Sequence, residues 1–226
     1  MTVTERLFLP LLTNPARPVI THYDDATGSR VELSGATLAN WAAKTANWLT
    51  EEYDVEPGDP VSVVLPAHWQ TAGVLLGAWW CGAHVIADPA GARVTLAGPA
   101  TPITTSGVLA RVSLHPMGLE LGDVADGVDY IGEARLHGDQ FLALQDVPDD
   151  TPALAGATVA ETVAAARAAG IPAEARVMST LDWTVPDGVI RGFLAVLAAG
   201  GSLVQVSNPA RLDAHRAAER TNHDLS

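Results

Sequence analysis

PGDPVSVVLP, residues 57–66, carries the strongest indication of a β-strand in this sequence. It opens with the turn-forming pair Pro57-Gly58, continues with the largely β-branched run Val61–Leu65, and closes at Pro66. Because this run lacks polar alternation, it is typical of a strand in a sheet that is covered on both faces. We therefore predict a buried strand here, and the neighbouring elements are placed relative to it.

The residues that follow predict a βαβ unit. An almost wholly apolar helix is expected from about Ala67 to Cys81, and a strand at His84–Ala87. A strand, a helix and a strand at this spacing imply parallel pairing with a right-handed crossover.

Upstream, the pattern indicates a hairpin and then an amphipathic helix. Two short strands, Val19–Tyr23 and Ser29–Leu33, flank a turn rich in Asp and Gly. Ser34 or Thr37 can cap the following helix, because either hydroxyl accepts a bond from an unpaired backbone N–H. Lys44 falls opposite the apolar side of this helix and is expected on a solvated face.

PAEARVMSTL, residues 172–181, repeats the pattern. A helix at Thr158–Ala169 precedes it, a helix at Gly188–Ala199 follows it, and a strand at Ser202–Val206 ends it. The chain is thus predicted to hold two pseudo-repeated αβαβ units, at about residues 34–90 and 157–210. We predict one α/β domain, residues 1–226, with mostly parallel sheets, helices on both faces, an irregular connecting region at 91–156, and a charged tail at 211–226 that forms a short fraying helix.

Composition excludes several classes of function. The net charge of −13 argues against nucleic acid and anionic membranes as partners. No apolar run approaches the roughly 20 residues of a membrane span, and no signal peptide is evident, so we expect a cytoplasmic protein. The single cysteine, Cys81, lies in an apolar stretch and is expected to be inert.

No catalytic, metal or cofactor motif is found. The seven histidines are scattered without metal-ligand spacing. A nucleophile elbow and a dinucleotide-binding glycine pattern are both absent. We therefore assign no catalytic residue, no metal site and no cofactor.

Two short segments qualify as a ligand-binding site by position alone. In open parallel sheets, ligands bind outside the carboxyl ends of the strands. His68 and Trp69 follow the strand of the first unit, and Asp182 and Trp183 follow that of the second. A small-molecule cleft there, or plain packing and helix capping, are the alternatives.

The order of these motifs resembles the N-terminal part of acyl-CoA synthetases and related acyl-adenylate-forming enzymes. The first part of the resemblance is carried by Leu38-Ala39, Pro57-Gly58-Asp59, Val61–Pro66, Gly82-Ala83-His84-Val85 and Asp88-Pro89. The second is carried by Gly170, Glu174, Arg176, Val177, Ala199-Gly200-Gly201 and Leu203–Val206. The chain looks most like a short, divergent, truncated group of this family found in actinobacteria.

The resemblance implies ATP chemistry that these residues do not support. The family wraps the ATP phosphates with a Ser/Thr/Gly-rich loop that ends in Pro-Lys-Gly, and that loop should precede the helix that begins near Thr158. Thr151–Ala157 stands there instead, with one glycine and no lysine. The adenine and ribose motifs and the catalytic lysine of the family's C-terminal domain are also missing, and Lys44 is the sole lysine.

We therefore predict a degenerate homologue without independent catalytic activity that acts as a binding or interaction protein. Alternatives are a binding protein for a small acyl or acyl-thioester ligand, or a residual acyl-CoA synthetase-like enzyme that needs a partner. A homodimer formed through an apolar face is expected, because large apolar patches rarely stay bare.

Overall fold

Two sheets, each built around one of the repeated units, organise the computed structural model, which describes all 226 residues. The strands are β1 (Pro18–Asp24), β2 (Ser29–Ser34), β3 (Pro60–Val64), β4 (His84–Ile86), β5 (Val94–Ala97), β6 (Val108–Arg111), β7 (Val128–Asp129), β8 (Pro152–Leu154), β9 (Ala157–Thr158), β10 (Arg176–Ser179), β11 (Ser202–Ser207) and β12 (His223–Leu225). The five-stranded sheet has the order β12-β10-β11-β1-β2, and the seven-stranded sheet has the order β7-β6-β5-β3-β4-β8-β9.

Every pairing in both sheets is parallel except for the hairpins β1–β2 and β8–β9. The helices are α1 (Val3–Leu7), α2 (Gly35–Tyr53), α3 (Trp69–Trp80), α4 (Tyr130–Ala134), α5 (Val159–Ala168), α6 (Asp187–Val189), α7 (Ala195–Ala198) and α8 (Leu212–Glu219). A 3-10 turn spans Leu9–Thr13, and a π-helical turn at Ile190–Leu194 joins α6 to α7. The predicted fold class is confirmed: both βαβ units form, one in each sheet.

Helix α3 lies in the interior, where it contacts β1 of the five-stranded sheet and β4 of the seven-stranded sheet. Every residue from Trp69 to Trp79 is buried. The helix has no polar face, as its almost uninterrupted apolar sequence predicts. It packs along α2, whose start is capped by the predicted Ser34 hydroxyl, 3.2 Å from the Thr37 amide nitrogen.

Close packing of α2 on α3 depends on Gly77. A Cβ placed there would lie 2.6 Å from the carbonyl oxygen of Ala42 and still closer to the Thr45 side chain. Glycine therefore sets the distance between the two helices at this point.

The prediction that Lys44 is solvated is wrong. Its ammonium group donates to the carbonyl oxygens of Arg135 (3.2 Å) and His137 (2.6 Å) and lies 2.8 Å from an Asp139 carboxylate oxygen. Residues 135–139 of the connecting region pack over this face of α2. The apolar periodicity of α2 alone could not predict this contact, because the covering segment is distant in sequence.

The tail is docked rather than frayed. The Asp25 carboxylate accepts hydrogen bonds from the amides of Ala210 (2.7 Å) and Arg211 (2.9 Å) and lies 2.7 Å from His215 Nε2. These bonds, led by the one from Ala210, lower the pKa of Asp25 well below its usual value. They hold α8 against the outer face of the five-stranded sheet, where Tyr23 stacks on His215.

We predict that Gly77→Ala lowers the free energy of unfolding by about 2 kcal/mol or more, because overpacking outweighs the better helix propensity of alanine. Gly156→Ala is the matched control, since a Cβ there meets nothing within 4 Å. Urea unfolding of both variants checks this, and equal midpoints would contradict the close approach of α2 and α3.

Candidate functional site

The carboxyl ends of β3 and β10 meet, as the strand-end rule predicts for the two repeated units. The backbone N–H of Ala67, just before α3, donates to an Asp182 carboxylate oxygen at 3.3 Å. The same oxygen accepts from the N–H of Trp183 at 2.9 Å. One exposed carboxylate thus links the two predicted segments.

His68 and Trp69 form the start of α3. His68 is 5% exposed and is the N-cap residue, because its Nδ1 accepts from the Gln70 amide at 3.1 Å. Trp69 is buried and donates its indole N–H to the carbonyl of Pro116 at 3.1 Å. Gly118 approaches this ring so closely that a Cβ there would lie 3.1 Å from it.

Trp183 lies in the core. It is 2% exposed and stacks on Phe193 with ring centroids 4.6 Å apart. Trp69 packs instead beside Trp41, at 5.8 Å between centroids. The structure therefore links Asp182 to the residue that precedes His68, through the Ala67 amide, and places the two tryptophans in separate packing environments.

A buried polar row lies beside these two segments and was missed from the sequence. Strand pairing sets Ser179 opposite Gln205 and Gln205 opposite His22 across β10, β11 and β1. All three residues are buried, and the His22 ring lies 4.5 Å from the His68 ring. The only local signal is a polar residue within an apolar strand, as in Val204-Gln205-Val206. The lateral register that assembles the row is not visible in any one strand.

Several atoms of this strand-end cluster, defined as His22, His68, Gln70, Asp182 and Gln205, have no hydrogen-bond partner. They are His22 Nδ1, Gln70 Oε1 and Gln205 Oε1. Their neighbouring atoms are engaged, since His22 Nε2 contacts Ser207 Oγ at 3.0 Å and Gln205 Nε2 donates to the Leu181 carbonyl at 3.0 Å. Buried polar atoms of this kind bind water or a polar ligand.

Both histidines of the cluster are neutral at pH 7. Burial lowers the pKa of His22 to about 4, partly offset by the Asp24 carboxylate. Burial lowers the pKa of His68 to about 3, with a further contribution from His22. Two neutral imidazoles offer hydrogen bonds but no positive charge for an anion.

The segment Thr151–Ala157 forms a closed hairpin, β8–β9. Leu154 pairs with Ala157, so the turn between the strands has only two residues, Ala155 and Gly156. The Ala155 amide donates to the Val85 carbonyl at 2.8 Å, and the Trp79 indole donates to the Ala153 carbonyl at 2.8 Å. These groups bind the hairpin to β4 and α3 rather than facing an open loop.

A carboxylate already occupies the helix end that follows the hairpin. Glu161 accepts from the Thr158 amide at 2.9 Å, and Thr158 accepts from the Glu161 amide at 3.3 Å. This capping box lowers the pKa of Glu161, chiefly through the backbone hydrogen bond from Thr158. The start of α5 therefore already carries a negative group, which disfavours a second anion at this helix end.

No three side chains among His, Cys, Asp and Glu converge as a metal site requires. None of the helices combines the length and apolar character of a membrane span.

We predict that stability falls as the pH is lowered from about 6.5 to about 4. The unfolded chain protonates its histidines near pH 6.5, whereas His22 and His68 stay neutral in the folded protein until pH 4 and 3. The lost stability is on the order of a few kcal/mol. Urea unfolding measured across this range tests it.

The double variant His22→Asn, His68→Asn supplies the control. Asparagine is a good N-cap residue at position 68, so the start of α3 is preserved. The variant should have a flatter profile between pH 6.5 and 4 and should keep the acid transition below pH 3.8 that comes from Asp25. A slope identical to that of the parent protein would show that these histidines are not buried neutral groups.

Comparisons with known proteins concern the sequence and the overall fold. No family model matches the chain. A TIGR03089 family protein of Mycobacterium tuberculosis is 45% identical over 225 residues, covering 92% of this chain and 90% of that protein.

Solved structures show the fold. An acyl-CoA synthetase of Brucella canis has a TM-score of 0.78 at 15% identity, covering 97% of this chain and 46% of its own. A benzoate CoA ligase of Burkholderia xenovorans LB400 gives 0.71 at 16% identity, covering 96% of this chain and 48% of its own. An amide bond synthetase of Marinactinospora thermotolerans gives 0.68 at 16% identity, covering 98% of this chain and 47% of its own. The chain thus spans about half the length of these structures. It belongs to the TIGR03089 family, and its fold is that of acyl-CoA synthetases and related adenylate-forming enzymes.

Proposed function

We infer that this chain is a non-adenylating relative of adenylate-forming enzymes that serves as a binding or interaction protein. The observation that carries this inference is the two-residue turn between β8 and β9, where the resembling enzymes carry their phosphate loop. A loop that binds the ATP phosphates needs several backbone N–H groups facing one open space and a cation at its end.

The electrostatics of the region support the same inference. Arg6 lies near the hairpin, but its guanidinium group forms an ion pair with Asp149. The sole lysine, Lys44, is engaged elsewhere, by two carbonyl oxygens and by Asp139. The Glu161 carboxylate lies at the start of α5, so neither Arg6 nor Lys44 is free to pair with a triphosphate there.

We predict that the purified protein does not catalyse ATP–pyrophosphate exchange with Mg·ATP and a panel of short, long and aromatic carboxylic acids. The physical reason is that no group holds the charge of the transferring phosphates. An active acyl-CoA synthetase, assayed under the same conditions, shows that each acid and the label are competent. Exchange that depends on the carboxylic acid and on this protein would overturn the inference.

A residual enzyme completed by a partner is a different proposal, in which the partner supplies the phosphate-binding groups. In this proposal the partner's groups must contact the phosphates at the β8–β9 turn, so the turn must open to admit them. The hydrogen bonds of Ala153 to α3 and of Ala155 to β4 stabilise the closed turn. The geometry therefore favours the non-adenylating role over this alternative.

A second candidate function is the binding of a small acyl or acyl-thioester ligand at the strand-end cluster. The unpartnered oxygens of Gln70 and Gln205 favour it, because each needs a donor. The amide N–H groups in the arm of an acyl-thioester are such donors.

For this candidate, we expect acyl-CoA thioesters at ten times Kd to raise the melting temperature by about 3 °C. Gln205→Leu should remove the rise, since it deletes one acceptor. Asn14→Leu, which also replaces an amide side chain with leucine but at an exposed position outside the cluster, is the control. A melting temperature that no member of a broad series of acyl-CoA thioesters changes would eliminate this candidate.

A homodimer is a further proposal, supported by an exposed apolar face. This face, called the Met117 face, consists of the exposed side chains of Met117, Leu119, Leu121 and Leu136. An ion pair between Arg135 and Glu120 (3.1 Å) joins the segment of the first three residues to that of Leu136. A second copy that covered this face would remove that apolar surface from water.

A further inference from the structure

An open groove lies between the connecting region and the loop that follows α2. Its volume is about 560 Å³, within the range of binding clefts. Val55, Pro57 and Cys81 line one side, and Leu142 and Leu144 belong to the segment Gln140–Gln145 that lines the other. The groove is separate from both the strand-end cluster and the β8–β9 hairpin.

The segment Gln140–Gln145 is fixed at both ends while its leucines face water. At one end the Asn47 amide donates to the carbonyls of Gly138 (3.0 Å) and Gln140 (2.9 Å), and Phe141 packs on Trp80. At the other end Val147 is buried, and its carbonyl accepts from the chain's amino terminus.

Between these anchors, Leu142 is 85% exposed and Leu144 is 98% exposed. Because both ends of the segment are held in place, Leu142 and Leu144 stay exposed to solvent and do not pack into the core. Two exposed leucines beside a preformed apolar groove indicate a surface that binds another apolar chain.

The rim of the groove carries one sign of charge. Glu51, Asp54 and Glu56 line it, and no lysine or arginine does. The chain as a whole has a net charge of −13. A second copy would bring further negative charge to this rim, so charge complementarity favours a cationic occupant.

Chemical modification is not the use of this groove. The Cys81 thiol is 5% exposed and lies 3.2 Å from the Ala78 carbonyl oxygen. Burial raises its pKa to about 12, so it is not a reactive thiolate at neutral pH. Its sulfur serves as part of the apolar wall.

We propose that this groove docks a cationic amphipathic segment of a partner protein, whose apolar side chains bind against Pro57, Leu142 and Leu144 and whose lysines or arginines face Glu51, Asp54 and Glu56. This inference deepens the interaction role proposed above and rests on it. Its site lies apart from the hairpin, so a failure to bind such a segment would leave the result of the ATP exchange experiment untouched.

The test uses a fluorescent 18-residue synthetic peptide with leucines on one helical face and lysines on the other, and the full chain at physiological ionic strength. We expect saturable binding by fluorescence anisotropy, weakened as salt is raised. A peptide of the same pattern with glutamates in place of lysines, and one with serines in place of leucines, should each bind at least about tenfold more weakly.

Two protein variants locate the site. Leu142→Ser with Leu144→Ser removes the apolar wall, and Glu51→Gln with Asp54→Asn and Glu56→Gln removes the charge while keeping side-chain shape. Each should weaken binding of the leucine–lysine peptide by at least about fivefold. The matched charge control is Asp123→Asn with Asp187→Asn and Asp213→Asn, three exposed carboxylates outside the groove.

Three outcomes overturn the proposal. They are equal binding of the serine–lysine peptide, equal binding by the groove variants and the charge control, and a self-association seen in sedimentation velocity that the Leu142, Leu144 variant abolishes. The last would assign the groove to a second copy. If this variant still self-associates, the contact between copies lies outside the groove, as expected for the Met117 face. That result supports the groove as a site for a different partner.

Discussion

Helix α3 is the element on which the remaining structure depends, because it lies between the two sheets with no solvated face. Its start holds one side of the strand-end cluster through His68. Its middle sets the approach of α2 through Gly77. Its last turn binds the β8–β9 hairpin, since the Trp79 indole donates to the Ala153 carbonyl. A change in the position of this helix would therefore disturb the core, the cluster and the hairpin together.

The same helix is consistent with the proposed non-adenylating role. The sheets and their crossovers are stabilised by apolar burial, and none of these contacts needs a phosphate loop. At the hairpin, backbone groups that would be free in an open loop are bound to α3 and β4, and Glu161 caps α5 in place of an external anion. Two surfaces carry exposed apolar side chains. The Met117 face lies on the connecting region, and the acidic groove lies between that region and the loop that follows α2.

Much of the fold was predictable because apolar runs and caps are local signals. The β-branched runs around Val63 and Val204, the apolar helix α3 and the Ser34 cap lie where the sequence predicts them. The short strands β7, β8, β9 and β12 were not predicted, since two or three residues carry no periodicity and are defined by their partners. Lys44 and the tail were misjudged for a related reason, because the segments that cover them come from distant parts of the chain.

The candidate site was predictable only in part. The strand-end rule predicted that the segments of His68 and Asp182 follow neighbouring strand ends, because that placement depends on chain order alone, and the Ala67 amide does bond to Asp182. It did not find His22 or Gln205, because their meeting depends on the register between β1 and β11. It also grouped Trp69 with Trp183, although Trp69 packs beside Trp41 and Trp183 stacks on Phe193, in different parts of the core.

Backbone amide NMR during a titration with Mg·ATP shows whether the Thr151–Ala157 hairpin holds a nucleotide triphosphate. Under the proposed non-adenylating role, we expect the amide resonances of Ala155, Gly156 and Ala157 to stay in place at millimolar nucleotide. Saturable shifts at these three amides would contradict it, because they would place the phosphates on the hairpin itself.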